Sequence, residues 1–223
     1  MIDFPAARRH MVDGQVRTAD VFDHELIAAL LEVPRERFVP EGKMDLAYLD
    51  RDLELGGTGS GRPLRYLLKP MVLARLIQAA GVRARDHVLD LGCATGYSTA
   101  VLARLARSVV GCEEDPELAE TARRALAALG VGNATIECGP LPAGAPGHGP
   151  YDVILVNGAT ELVPQGLFGQ LKDGGRLVCV FGPPPAGKAM LYLSEHGDVS
   201  GRPVFDAAAP LLPGFVKPPA FVF

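Results

Sequence analysis

Residues His87 to Glu113, HVLDLGCATGYSTAVLARLARSVVGCE, leave few folds open to this chain. The run His87-Val-Leu-Asp-Leu91 suits a strand buried on both faces. Gly92-Cys-Ala-Thr-Gly96 makes a tight turn, after which Thr99, Val101, Leu102, Leu105 and Ala106 recur at helical spacing. A second apolar run, Ser108 to Cys112, ends on Glu113. Together they predict strand, turn, helix and strand, with an acid at the tip of the second strand. Such a unit suits a nucleoside. Small residues let the backbone approach a ligand closely, and a carboxylate about twenty residues beyond the turn can accept hydrogen bonds from both ribose hydroxyls.

The glycine spacing narrows the choice of nucleoside. A dinucleotide fold wants G-x-G-x-x-G, with the pyrophosphate on the helix N-terminus. Here Gly92, Ala94 and Gly96 give G-x-A-x-G, and Tyr97 stands where the third dinucleotide glycine would fall. Asp90 would repel a pyrophosphate but suits a ligand carrying an ammonium and a sulfonium. These residues resemble motif I of class I S-adenosylmethionine-dependent methyltransferases, V-L-D-L-G-x-G-x-G in its usual form. The resemblance implies a Rossmann-like α/β fold: a mostly parallel sheet, helices on both faces, and S-adenosylmethionine as donor with S-adenosylhomocysteine as product. The bland alternative is an α/β turn whose glycines serve geometry alone.

Three further words are more specific: Met11-Val-Asp-Gly-Gln-Val-Arg17, Val33-Pro-Arg-Glu-Arg-Phe-Val-Pro40 and Ala47-Tyr48-Leu-Asp50. With Pro70-Met-Val-Leu-Ala74, Tyr151 to Val156 and Gln170 to Val178, they resemble the protein-L-isoaspartate O-methyltransferase family over most of the chain up to about Gly182. That resemblance implies a protein-repair enzyme, methylating carboxylates of isoaspartyl peptides or proteins. It implies donor contacts from Asp90, Gly92, Ala94, Gly96, Glu113, Glu114, Cys138, Gly139 and Asn157. Acceptor contacts fall to the stretch holding Thr58, Ser60, Leu68 and Lys69.

At two places the chain departs from the family's pattern. The family carries G-x-G-Q-T-x-S-Q-P before P-x-M-V-A, and its hydroxyls contact the acceptor carboxylate; here Tyr66, Leu68 and Lys69 replace threonine, serine and glutamine. Thr58, Ser60, Arg62, Arg65 or Lys69 are the remaining donors. The family's G-D-G after the third strand is Glu137-Cys138-Gly139, and strand alternation turns Glu137 to the other face. No catalytic residue is assigned, since an acceptor carboxylate is already ionised at pH 7. Binding, alignment and exclusion of water are what the transfer needs. A methyltransferase with another acceptor, such as a small metabolite, and a non-catalytic S-adenosylmethionine-binding module both stay open, as does a nicotinamide oxidoreductase. An amino-methylating nucleic-acid enzyme is disfavoured, because Val156-Asn-Gly-Ala-Thr160 lacks an N-P-P-Y-type motif.

A net charge of −4 and a pI of about 5.7 argue against nucleic acid and anionic membranes as partners. The charged start, MIDFPAARRHMVDGQ, does not read as a signal peptide, so a cytoplasmic protein is expected, with a monomer favoured. Cys93, Cys112, Cys138 and Cys179 have no zinc or C-x-x-C spacing and read as soft packing residues beneath a ligand. The five histidines are dispersed, so no metal is expected.

Residues 1–69 lack strand–helix alternation and are expected to form an N-terminal helical extension ending in a glycine-rich lid loop, Gly56 to Gly61. Residues 70–223 are the expected donor-binding core. Helices are predicted over Pro5–Val16, after Asp23, from Pro70 to Gly81, from Asp115 to Gly130 and over Pro164–Leu171. Strands are predicted over Thr135–Cys138, Val153–Val156 and Arg176–Phe181, followed by an antiparallel hairpin of Ala189–Ser194 and Pro203–Phe205. The proline-rich end, Pro210 to Phe223, is expected to lie over a sheet edge.

Overall fold

The computed structural model describes residues 2–56 and 63–218. Helix α1 (Phe4–Met11) starts where the Asp3 carboxylate accepts from the Ala6 amide, and continues as a π-turn over Val12–Val16. Helix α2 (His24–Glu32) is capped by Asp23, whose side chain accepts from the Leu26 amide. A short antiparallel ribbon, β1 (Leu53–Glu54) with β2 (Tyr66–Leu67), leads into α3 (Pro70–Ala80). Proline at the first helical position and Gly81 at the left-handed C-cap bound that helix, as its sequence predicts.

Strands and helices then alternate: β3 (His87–Leu91), α4 (Tyr97–Leu105), β4 (Ser108–Glu113), α5 (Pro116–Ala128) and β5 (Ala134–Cys138). After them come β6 (Tyr151–Thr160), the single-turn α6 (Gln165–Phe168), β7 (Leu171–Phe181), β8 (Lys188–Glu195) and β9 (Asp198–Asp206). They build a seven-stranded sheet in the order β5-β4-β3-β6-β7-β8-β9. The first five strands in that order are parallel, and β7-β8-β9 is an antiparallel meander. The order reverses between β3 and β6, which makes their carboxyl ends the place where an open α/β sheet binds its ligand.

Alternation along the strands divides the core. Val88, Val109, Val153, Leu155 and Val178 pack with α3, α4, α5 and the N-terminal helices in one cluster. Leu89, Leu91, Val110, Ile154 and Val156 face the other way, toward Leu141, Leu167, Leu212 and Phe215. Helices therefore cover both faces unevenly, with α6 and two 3-10 turns on the second. No helix among the described residues is long and apolar enough to cross a membrane.

Two strands outrun their apolar stretches. Strand β7 starts at Leu171, before a register shift, and β6 continues past Asn157 to Thr160 because Ala159 and Thr160 pair with Val180 and Phe181. Strand β3 pairs with β6 only as far as Leu91 opposite Val156, so the end of β6 overhangs it. Leu211 makes a parallel bridge with Ala159 on that overhang. The Ala159 amide donates to the Pro210 carbonyl and the Leu212 amide to the Ala159 carbonyl, each at 2.8 Å. The expectation that the C-terminal stretch lies over a sheet edge is thus corrected for residues 210–218. The open backbone groups that recruit it lie at the overhang of β6, in the middle of the sheet.

Candidate active site

The turn after β3 is built by its own sequence. Gly92 and Gly96 have φ of 79° and 92°, and a Cβ on Gly96 would lie 3.1 Å from Ala122 Cβ on α5. Ala94 also sits in the left-handed region, at φ 50°, which brings its amide to Glu113 Oε2 at 2.8 Å. The Thr95 hydroxyl donates to the Phe38 carbonyl at 2.6 Å, fixing the turn to the V-P-R-E-R-F-V-P segment.

Asp90 points toward the first turn of α4. The hydroxyls of Ser98 and Thr99 each donate to its Oδ2 at 2.6 Å, and the Asn157 amide donates to Ser98 Oγ at 2.6 Å. Asp90 Oδ1 and Asn157 Oδ1 are buried with no hydrogen-bond partner among the described residues. Burial raises the Asp90 carboxyl to about 6, against the two hydroxyl hydrogen bonds that favour its charged form. The floor of the site therefore offers two unpaired acceptors suited to an ammonium group. Ser98 and Thr99 are site-forming residues that sequence reasoning passed over; their signal is two hydroxyls in the turn that follows the G-x-A-x-G loop.

Glu113 lies at the tip of β4, fully buried. Its carboxylate accepts from the amides of Ala94, Glu114 and Asp115 at 2.8, 3.0 and 3.2 Å. The Arg65 guanidinium adds a two-pronged pair, Nε to Oε1 at 3.0 Å and Nη2 to Oε2 at 2.7 Å. Burial works against the Arg65 charge, but Glu113 outweighs it and the arginine pKa lies above its ordinary value. Arg65, weighed from sequence as a donor to an acceptor carboxylate, instead faces the acid expected to hold the ribose.

The remaining expected positions are scattered in character. Cys138 is exposed while Cys93, Cys112 and Cys179 are buried, so the expectation that all four cysteines pack is corrected at Cys138. Burial pushes the Cys112 and Cys179 thiols up to about 12, which leaves them inert at neutral pH. The exposed Glu137 carboxylate pairs with His148 Nε2 at 3.3 Å. Glu114 is half-buried, and Gly139 donates its amide to the Glu113 carbonyl. Leu68 is 2% exposed and belongs to the core, while the Lys69 amide donates to Asp52 Oδ1 at 2.9 Å. Thr58, Ser60, Arg62 and most of the expected lid lie outside the described residues. No cluster of metal-ligating side chains occurs among the described residues.

A mostly parallel sheet of this order, with its G-x-A-x-G turn and a buried acid ending the next strand, defines a class I S-adenosylmethionine-dependent methyltransferase. Residues 7–201 match the family described as protein-L-isoaspartate(D-aspartate) O-methyltransferase, and the chain belongs to that family. A protein-L-isoaspartate O-methyltransferase of Methanoculleus marisnigri is 35% identical over 88% of this chain and 87% of its own. A protein-L-isoaspartate O-methyltransferase 2 of an Anaeromyxobacter species is 40% identical over 79% of this chain and 70% of its own. A solved protein-L-isoaspartate O-methyltransferase superposes with a TM-score of 0.79 at 27% identity, covering 93% of this chain; the chain spans 66% of that protein's length. The chain is thus an S-adenosylmethionine-dependent O-methyltransferase of the isoaspartyl type.

The family's donor fits this site in part. Asp90, Asn157 and the glycine turn suit its methionine end. At the other end, Arg65 already lies on Glu113, the acid expected to hold the ribose, and Leu212 packs over the turn, 3.1 Å from where a Cβ on Gly92 would lie.

Proposed function

We propose that Asp90, Gly92, Ala94, Gly96 and Asn157 hold the methionine end of the donor, and that Glu113, Glu114 and Gly139 serve its nucleoside. The donor, when bound, supplies an electrophilic methyl group. The protein's part is to hold an isoaspartyl carboxylate in line with it. The observation that carries this reading is the pair of buried, unpartnered acceptors, Asp90 Oδ1 and Asn157 Oδ1, beside the glycine turn. A buried polar atom left without a partner costs on the order of 1–3 kcal/mol, which a bound ammonium group would recover.

The acceptor needs a route, and a cleft of about 380 Å³ offers one, lined by Asp52, Tyr66, Pro184 and residues 208–211. Tyr66 is the lining residue with a hydroxyl, and it stands where the family pattern has threonine. Leu68, packed in the core, offers no donor. We assign the acceptor-binding hydrogen bond to Tyr66. The test is transfer of tritiated methyl from S-adenosylmethionine to matched isoaspartyl and aspartyl peptides. Transfer to the isoaspartyl peptide alone is expected, with Tyr66→Phe lowering it about tenfold or more, the range for losing one hydrogen bond to a charged group. Methylation of neither peptide, with the donor still bound, would move the activity to another acceptor.

A further inference from the structure

The segment from Pro210 to Phe215 crosses the carboxyl ends of β3 and β6, where the donor site proposed above lies. It begins on the overhang of β6, where residues 210–212 complete the backbone pairing that β3 leaves open. Leu212 then drops between the two glycines that flank the sheet's switch point. A Cβ on Gly92 would meet Leu212 Cδ2 at 3.1 Å, and one on Gly158 would meet Leu212 Cγ at 2.6 Å. Gly214, at φ 77°, lies against Pro142 beyond β5, so tightly that a Cβ there would come within 2.4 Å of the proline ring. Phe215 is 4% exposed, and its carbonyl accepts from the Glu161 amide at 2.8 Å. The segment is seated at both ends and apolar in the middle.

Arg65 closes the other half. A Cβ on Gly92 would also lie 3.1 Å from Arg65 Nη2, so guanidinium and leucine meet over the same glycine. Glu113 accepts five hydrogen bonds, two of them from Arg65, which exhausts the roughly four lone-pair sites a carboxylate offers. No ribose hydroxyl can be added to that acid while Arg65 stays.

Resting on the methyltransferase reading above, we propose that this donor site is self-occluded. Arg65 and Leu212 stand in the nucleoside's place, the arginine as a surrogate for the ribose hydroxyls and the leucine as the apolar filler, and S-adenosylmethionine enters only when both are displaced. The pair lowers the energy of the closed form alone. Affinity for the donor is accordingly reduced by the fraction of molecules that are open.

Calorimetric titration of S-adenosylhomocysteine into wild-type, Arg65→Ala and Leu212→Ala proteins tests this. If the two side chains compete with the nucleoside, each variant binds about tenfold more tightly than wild type, or binds where wild type shows nothing. If instead they contact the bound nucleoside, or take no part, affinity falls or stays the same in both, and the occlusion is overturned while the methyltransferase reading stands. Absence of binding in all three proteins overturns both. Should a substitution unfold the chain, wild-type association kinetics decide, followed by tyrosine fluorescence since the chain has no tryptophan. A rate that reaches a plateau with ligand concentration supports displacement, and one that rises linearly throughout overturns it.

Discussion

Asp90 is held by hydroxyls alone on one oxygen and left unpartnered on the other, at full burial. Its carboxyl titrates near 6, against an ordinary 3.8, because burial disfavours the charge more than Ser98 and Thr99 favour it. The native state therefore keeps a proton that the unfolded chain gives up. Its stabilising contribution is full below about pH 4, fades as pH rises to 6, and is absent above. Asp90→Asn removes the titration, so the stability of wild type relative to the variant should fall by roughly 2 kcal/mol between pH 4.5 and 7, at about 1.4 kcal/mol per pH unit. Urea unfolding of both proteins across that range is the measurement. A pH-independent offset between them would mean that Asp90 keeps its ordinary pKa in the fold.

The elements around the site are tied together through buried polar groups. Arg35, fully buried, donates from Nε to the Ala47 carbonyl at 2.7 Å and from Nη2 to the Leu68 carbonyl at 2.6 Å. Its guanidinium lies 4.8 Å from the centre of the Tyr97 ring. One side chain thus joins the segment after α2, the entry to α3 and the start of α4. Arg35→Met would strand two buried carbonyls and should cost about 2–4 kcal/mol. Arg35→Lys should not restore the loss, since an ammonium lacks the planar fork that reaches both oxygens. Chemical denaturation checks this, and wild-type stability in the lysine variant would remove Arg35 as the joint. This role could not be read from V-P-R-E-R-F-V-P, where Arg35 and Arg37 look alike; only the meeting of chain segments distant in sequence separates them. The strand and helix elements were legible because each carries its own periodicity and caps, as Asp23, Pro70, Gly81 and Asp115 show. The glycine turn and the position of Glu113 at a strand tip were legible for the same reason, being local to one βαβ unit. The path of Pro210 to Phe215 was not, because it depends on an open strand end that exists only once β3 and β6 have paired.

At the scale of the molecule, the residues before and after position 70 do not have separate interiors. Met11, Val16, Leu26, Leu30 and Phe38 belong to the same cluster as Val72, Leu76, Tyr97, Val101 and Leu155. The N-terminal helices bury the outer faces of α3 and α4, which would otherwise present leucine, valine and isoleucine to water at about 25 cal/mol per Å². Phe38 and Tyr97 meet edge to face at 5.6 Å, and the Thr95–Phe38 bond brings the same N-terminal segment to the donor turn. We propose that the extension is a functional subdivision, covering the site, within one folding unit. Unfolding should then be a single transition, with far-ultraviolet circular dichroism and tyrosine fluorescence giving the same midpoint. Tyr48 and Tyr66 lie in the N-terminal part and Tyr151 and Tyr192 in the sheet, with Tyr97 between them, so separate melting of the two parts would split the curves. A chain beginning at Pro70 should fail to fold, lacking the cover for Leu73, Leu76 and Ile77. A soluble 70–223 fragment with native-like circular dichroism, or two resolved transitions in the full chain, would show that the helices are an addition to a core stable without them.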